Sequence, residues 1–327
     1  MRILVTGGTG FTGSHLVRRL LSKGHDVLVL DYQKGLFYDE LKSKGAKIEL
    51  GGILQRDLVD RMVKDCEVVQ HVAAAFRQLN VPDQHYWDVN VEGTRYLLDA
   101  AHRFKVRKFV YCSTQGVHGH ISNPPGNELS PIAPEDYYQL TKYEGEKVVE
   151  QYVKEGLDAV TLRPTAIYGP GDPGRFQMLF RMVKNGTFLM FGDGSTFYHP
   201  VYIDNLVDAM ELASEKDGLQ GEAYIIADEH YYTLNDLVGH VAKAMNQDVK
   251  IRHLPFRPLW LAALGCELVC KPLRITPPIF RRRVDWFRQV RAFNIGKAKK
   301  DLGYQPRVGI EEGLTRTGEW YVVEGRI

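Results

Sequence analysis

Cysteine is scarce. Cys66, Cys112, Cys266 and Cys270 are the only four in 327 residues, and they are scattered. So few thiols exclude a disulfide scaffold, and only Cys266 and Cys270 lie a helical turn apart, with no second pair to complete a zinc site. Reduced, buried thiols are expected and no metal is. Net charge is also small, at +2, which gives no ground for a nucleic-acid partner. No window reaches the roughly 18 apolar residues that a membrane span needs. The nearest, "PLWLAALGCELVC" at 258–270, is flanked by Arg257, Lys271 and Arg274. It reads as a buried or pocket-lining helix, with peripheral contact to a membrane surface as the second option. The start, "MRILVTGG", runs straight into a core strand without the regions of a signal peptide, so a cytoplasmic location is the default expectation. Internal repeats and low-complexity stretches are absent.

What is present is the composition of a globular enzyme-sized protein, 44% hydrophobic and 25% charged. "RILVT", "DVLVLD", "KIEL", "EVVQHVA", "KFVYCS" and "LDAVTLRP" are short apolar runs rich in Val, Ile and Leu, and they read as buried strands. Amphipathic stretches separate them, such as "TGSHLVRRLLSKG", which Gly24 stops. That alternation predicts an α/β fold, a Rossmann-type doubly wound parallel sheet with right-handed crossovers. After Pro164 the rhythm breaks at "YGPGDPGRF", dense in Gly and Pro. The expected division is a dinucleotide-binding domain over 1–167, with 201–226 returning to it, and a smaller α/β substrate-binding module from 168–200 and 227–327. Between the two, at the carboxyl ends of the strands, should lie a ligand cleft.

The first strand leads directly into "VTGGTGFTG", which opens a helix. Gly7 permits the tight turn, Gly10 lets backbone N–H groups approach a pyrophosphate, and Gly13 allows the helix to pack against the strand. Phe11 and Thr12 complete the candidate cofactor-binding turn. Asp31 ends the second strand about 20 residues further on, as the dinucleotide fingerprint requires. A carboxylate there accepts hydrogen bonds from ribose hydroxyls and repels a 2′-phosphate. With Tyr32 and Gln33 following and no arginine, NAD is favoured over NADP.

Downstream, "EDYYQLTKYEGE" at 135–146 sets two tyrosines before Lys142. Tyr138 shares a helix face with Lys142 at i,i+4, whereas Tyr137 points roughly 100° away. A phenol of pKa near 10 is a poor base at neutral pH, and a neighbouring ammonium favours its phenolate. Tyr138 could then exchange a proton with a substrate hydroxyl as hydride moves. Tyr137 would face the substrate side or a helix neighbour. Ser113 and Thr114 end the preceding strand, where a hydroxyl can orient the reacting oxygen.

Taken with "HVAAA" (71–75), "NVEGT" (90–94), "CST" (112–114), "YQLTK" (138–142), "RPTAIYGPG" (163–171), "VYIDNLVDA" (201–209) and "LGYQPRVGIEEGL" (302–314), these motifs resemble the extended short-chain dehydrogenase/reductase superfamily. That group, the NAD-dependent epimerase/dehydratase family, holds nucleotide-sugar epimerases, dehydratases and 3β-hydroxysteroid dehydrogenases. The resemblance implies that Ala73 and Ala74 line the cofactor's pyrophosphate and ribose. It also implies that Lys142 holds the nicotinamide ribose, that Pro164 and Ile167 border the nicotinamide, and that Asn90 begins a helix behind the site. The usual homodimer of such proteins, through helices containing 86–104 and 135–155, is a further expectation.

Departures from the family pattern narrow the substrate. Ile53 replaces an aspartate that contacts adenine. Thr114-Gln115-Gly116 lacks the acid pair of dehydratases, so dehydration is disfavoured and Gln115 becomes a substrate-binding candidate. His118 stands where Tyr is usual and reads as a loop residue. Tyr198 in "YHPVYIDN" occupies the place of an arginine that grips a diphosphate, and Arg291 could supply a second one. The apolar, Trp-, Phe- and Arg-rich insertion at 256–290 resembles sterol-dehydrogenase relatives instead. The balance leans to a nucleotide-sugar epimerase with a transient keto intermediate. The near alternative is a 3β-hydroxysteroid-dehydrogenase-like enzyme that oxidises a lipophilic alcohol and releases NADH. A non-catalytic NAD(H)-binding regulatory protein is the remaining option.

Overall fold

A computed structural model describes residues 1–76, 78, 81–270, 275, 277–279 and 281–327. The six apolar runs form strands β1 (Arg2–Thr6), β2 (Asp26–Asp31), β3 (Lys47–Leu50), β4 (Val68–His71), β5 (Lys108–Cys112) and β6 (Ala159–Pro164). With a seventh strand, Ala223–Ile226, they build one sheet in the order Ala223–Ile226, β6, β5, β4, β1, β2, β3. Every pairing in it is parallel. Both faces are covered, which explains why the strands are apolar runs rather than alternating ones. Ile3, Val5, Val27 and Val29 face a core shared with Leu16, Leu20, Leu206 and Met210. One residue out of phase, Leu4, Leu28 and Leu30 face the opposite core with Leu58, Leu97 and Leu98.

The chain enters at β1 in mid-sheet, runs outward to β3, then crosses back to β4 on the other side of β1. The crevice at this switch is where doubly wound sheets bind ligands. Residues that end β1 and β4 therefore converge there, which places the glycine turn beside Ala73.

Outside the sheet a third apolar cluster gathers Phe176, Phe180, Phe188, Met190, Tyr198, Leu234, Leu237, Val241, Trp286 and Leu314. The strands around it pair in twos: Thr187–Phe191 with Lys250–Leu254, and Phe197–Tyr198 with Tyr232–Thr233. Two expectations fail here. Segment 258–270 does form a helix, Phe256–Cys270, but only Ala263 and Glu267 are buried on it, so it is not a core helix. Cys66 and Cys112 are buried as expected, whereas Cys266 and Cys270, on that outer helix, are half-buried with sulfurs 3.9 Å apart. Lys271 and Arg274 lie outside the described residues. Among the described residues no helix is long and apolar enough to cross a membrane.

Candidate active site at the β1–β4 switch

Gly7 has φ +69° and donates its N–H to Leu30 O at 2.8 Å, which turns the chain off β1. A Cβ on Gly7 would stand 2.8 Å from the Ala73 backbone, and one on Gly13 would stand 2.1 Å from Gly7 O. Glycine is required at the first for conformation and closeness, and at the second for closeness alone. Helix Phe11–Ser22 (α1) then starts against the strand with its N-terminal N–H groups open to an anion. Asp31 is buried, and its Oδ2 accepts from Thr9 N (3.0 Å) and Thr9 Oγ1 (2.8 Å). The carboxylate is thus fixed beside the loop by one of its oxygens. A 230 Å³ cleft flanks the turn, lined by Thr9, Gly10 and Phe11 together with Gly171 and Trp320. A positive-φ turn that a Cβ would fill, an open helix N-terminus and a fixed strand-end carboxylate fit a dinucleotide. Ile53 is buried in the core against Gly93, where a Cβ would stand 2.6 Å from Ile53 Cδ1.

The catalytic-helix candidate runs Tyr137–Lys154, capped by Asp136, whose Oδ1 accepts from Gln139 N at 2.9 Å. This start puts Tyr138 in the first turn and Lys142 one turn later, in helical i,i+4 register. Lys142 is 1% exposed, and its Nζ lies over the Tyr111 ring, 4.2 Å from the centroid. Burial lowers its pKa from 10.5 to about 8, against the opposing pull of Cys112 and Glu146. Tyr111 reaches under the helix because position 145 is glycine, where a Cβ would stand 2.3 Å from the phenol oxygen. Tyr138 is half-buried and packs against Phe76, ring centroids 4.8 Å apart.

Ser113 and Thr114, equivalent in sequence, are separated by the structure. Ser113 is buried, and its hydroxyl donates to Glu146 Oε1. Thr114 is half-exposed, with Oγ1 accepting from Gly116 N at 3.1 Å and its proton left to donate. Glu146 also takes Arg163 in a fork, Nε to Oε1 at 3.0 Å and Nη2 to Oε2 at 2.6 Å, with both residues buried. Arg163 Nη1 then meets His118 Nε2 at 3.1 Å. His118 Nδ1 faces the carbonyls of Ser130 and Pro131 at 3.0 and 3.2 Å, so Nδ1 donates and Nε2 accepts. Burial and the guanidinium hold its pKa below the ordinary value, in keeping with that neutral ring. His118 is therefore a buried partner of the network and not the loop residue its position suggested.

A second buried chain joins the turn after β4 to the helices behind it. Ala73 N donates to Thr6 Oγ1 (3.2 Å), which bonds His71 Nδ1 (2.7 Å), and His71 Nε2 bonds Thr94 Oγ1 (2.9 Å). Thr94 donates onward to Asn90 O at 2.7 Å, so the donors run in one direction through a neutral imidazole. Burial, reinforced by the charge of Lys142, holds the His71 pKa well below its ordinary value. Asn90 lies in a π-helical turn, Asp88–Glu92, rather than at a helix start. Its amide clamps Ala75 (N to Oδ1, 2.8 Å) to Thr141 Oγ1 (2.9 Å) on the helix Tyr137–Lys154.

The remaining candidates scatter. Ala73 and Ala74 are half-buried at the crevice, Pro164 is buried at the end of β6, and Ile167 packs against both the sheet core and the third apolar cluster. Gln115 is buried, and its Oε1 lacks a hydrogen-bond partner among the described residues. Tyr137 is half-buried at the helix start. Tyr198 is 2% exposed inside the aromatic core, with Trp286 and Phe176 at 5.8 and 6.3 Å, so it belongs to packing and not to a substrate surface. Arg291 runs beside it, donating N–H to Phe197 O at 2.9 Å and Nη2 to Gln289 Oε1. Sequence reasoning missed Phe76, Glu146, Arg163 and His71. Glu146 had a signal, since it follows Lys142 by four on the same face.

Residues 3–227 match the NAD dependent epimerase/dehydratase family. The chain belongs to that family. It is an NAD-dependent enzyme of the extended short-chain dehydrogenase/reductase type. It is 30% identical to the 2-alkyl-3-oxoalkanoate reductase of Stenotrophomonas maltophilia, over 97% of this chain and 98% of that one. It is 29% identical to the sterol-4-alpha-carboxylate 3-dehydrogenase of Candida albicans, over 97% of each chain. A UDP-glucose 4-epimerase from Thermotoga maritima, solved with UDP-glucose, superposes with a TM-score of 0.79 at 27% identity over 99% of each chain.

Proposed function

We propose that the enzyme interconverts a secondary alcohol and its ketone on a lipophilic molecule, with Tyr138 as acid/base. NAD, when bound, supplies the hydride acceptor. Tyr138 takes the hydroxyl proton, Lys142 favours the phenolate through its charge, and Thr114 donates a hydrogen bond to the reacting oxygen. Glu146, held by Arg163, positions this group, because the Ser113 hydroxyl that donates to it fixes the strand end from which Thr114 projects. Asp31 holds the adenosine ribose through the oxygen that Thr9 does not engage. Gln115 offers a buried acceptor whose desolvation a substrate donor would offset.

The observation that carries the lipophilic assignment is the burial of Tyr198, at the position that would hold a diphosphate-gripping arginine, in an aromatic core. Phe76 against Tyr138 adds an apolar wall next to the reacting group. Two relatives whose names give an alkyl-oxoalkanoate and a sterol carboxylate lend support. A nucleotide-sugar 4-epimerase is the second reading, favoured by Arg291 beside Tyr198 and by the likeness to the Thermotoga enzyme. Cofactor stoichiometry separates the two. Incubation with NAD and a panel of sterols and long-chain secondary alcohols should accumulate NADH at 340 nm. Epimerisation of a nucleotide sugar with no net NADH would overturn the assignment.

A further inference from the structure

The outer helix Phe256–Cys270 is built inside out. Its one acid, Glu267, is 7% exposed and points inward, accepting from Arg281 at N (2.7 Å), Nε (3.2 Å) and Nη2 (3.0 Å). Leu261, Leu268 and Val269 point outward, 61%, 66% and 62% exposed. Pro258, Ala262 and Gly265 are exposed between them, and the spacing places all six on one helical face. That face carries no charged or hydrogen-bonding side chain, and Ile275 and Ile279 add exposed apolar surface beyond it. An apolar stripe of this kind, with the acid turned in, is the pattern of a face that something covers.

Charge indicates what covers it. Residues 250–291 contain ten Lys or Arg and two acids, a net +8 within a chain of net +2. Both acids are paired, Glu267 with Arg281 and Asp285 with Arg288 at 2.6 Å. Arg252, Arg257 and Arg288 are exposed around the helix.

We propose that this face lies on the surface of an anionic lipid bilayer, its leucines at the headgroup–acyl boundary and its arginines on lipid phosphates. The helix has 15 residues, about 22 Å at 1.5 Å per residue, and lies in the interface rather than spanning it. A second copy is disfavoured because it would bring an equally basic surface against this one. A bilayer asks for no matching shape, which suits a helix face of aliphatic and small residues. The segment that follows touches the loop leading into the helix Tyr137–Lys154: Gln289 Nε2 donates to Glu135, and Val290 N to His120 Nδ1 at 3.1 Å. The proposal stands apart from the substrate assigned above, since a nucleotide-sugar enzyme could dock in the same way.

The test is flotation of the full chain with phosphatidylcholine vesicles, with and without phosphatidylglycerol, at low and high salt. The wild type should float with the anionic vesicles and fall at least about tenfold with neutral lipid or high salt. The double variant Leu261→Glu/Leu268→Glu should lose flotation at least about tenfold while binding NAD unchanged by calorimetry, which shows that it is folded. Failure of the wild type to float, or equal flotation of the double variant, overturns the proposal. So does a dimer, seen by light scattering without flotation and lost in the variant, which would assign the face to a second copy. Salt-labile binding to poly-glutamate without flotation would assign it to an acidic protein.

Discussion

Replacing Lys142 by methionine should stabilise the cofactor-free protein near neutral pH while abolishing turnover. The ammonium is 1% exposed, and burial lowers its pKa from 10.5 to about 8. A shift of that size corresponds to about 3 kcal/mol against the charged form in the folded state. The unfolded lysine keeps its proton to about pH 10.5 and the folded one only to about pH 8, so between those values the unfolded state binds more protons. Wild-type stability therefore gains from this group as pH rises through that window, and below about pH 8 the whole penalty stands. Methionine removes the penalty but also the contact with the Tyr111 ring, which gives back about 0.5–2 kcal/mol. The net expectation is a variant more stable by about 1–3 kcal/mol at neutral pH. Urea unfolding of both proteins at neutral and alkaline pH reads it, because titrations common to both cancel in the difference. A less stable variant at neutral pH, or a gap that does not narrow as pH rises, would refute the burial argument.

Three further outcomes follow from the site. Glu146→Gln leaves the Arg163 guanidinium buried without its carboxylate and should cost about 3–5 kcal/mol in urea unfolding, and a loss below about 1 kcal/mol would contradict the assigned pairing. Thr114→Val should lower kcat/KM about 10²–10³-fold while Ser113→Ala stays within about tenfold, and initial rates in the reverse order would transfer the role to Ser113. Asp31→Ala should weaken NAD binding at least about tenfold by calorimetry and narrow the preference over NADP, whereas unchanged affinity would remove Asp31 from the ribose site.

The Rossmann half was legible because its signals are local. Apolar runs bounded by turns fix the strands, and the glycine spacing fixes the turn after β1, where Gly7 takes φ +69°. The i,i+4 rule put Tyr138 and Lys142 in register because Asp136 caps the helix just before them. Burial of polar groups was not legible in the same way. Ser113 and Thr114 look alike until Glu146 engages one of them, a contact across 33 residues that no spacing rule reports. His71 and His118 looked like strand and loop residues, yet both are neutral links in buried hydrogen-bond chains. Segment 258–270 reads as a buried or pocket-lining helix because its composition is that of an interior, yet only Ala263 and Glu267 are buried on it. Its orientation depends on Glu267 turning in to Arg281, 14 residues away.

If Tyr138 moves the proton, Tyr138→Phe removes turnover and leaves the cofactor bound. On one preparation, the rate of NADH formation from an active secondary alcohol and the Kd for NAD are measured against the wild type. The variant should show a fall in kcat of about 10²–10⁴-fold with Kd unchanged. Turnover within tenfold of the wild type would contradict it.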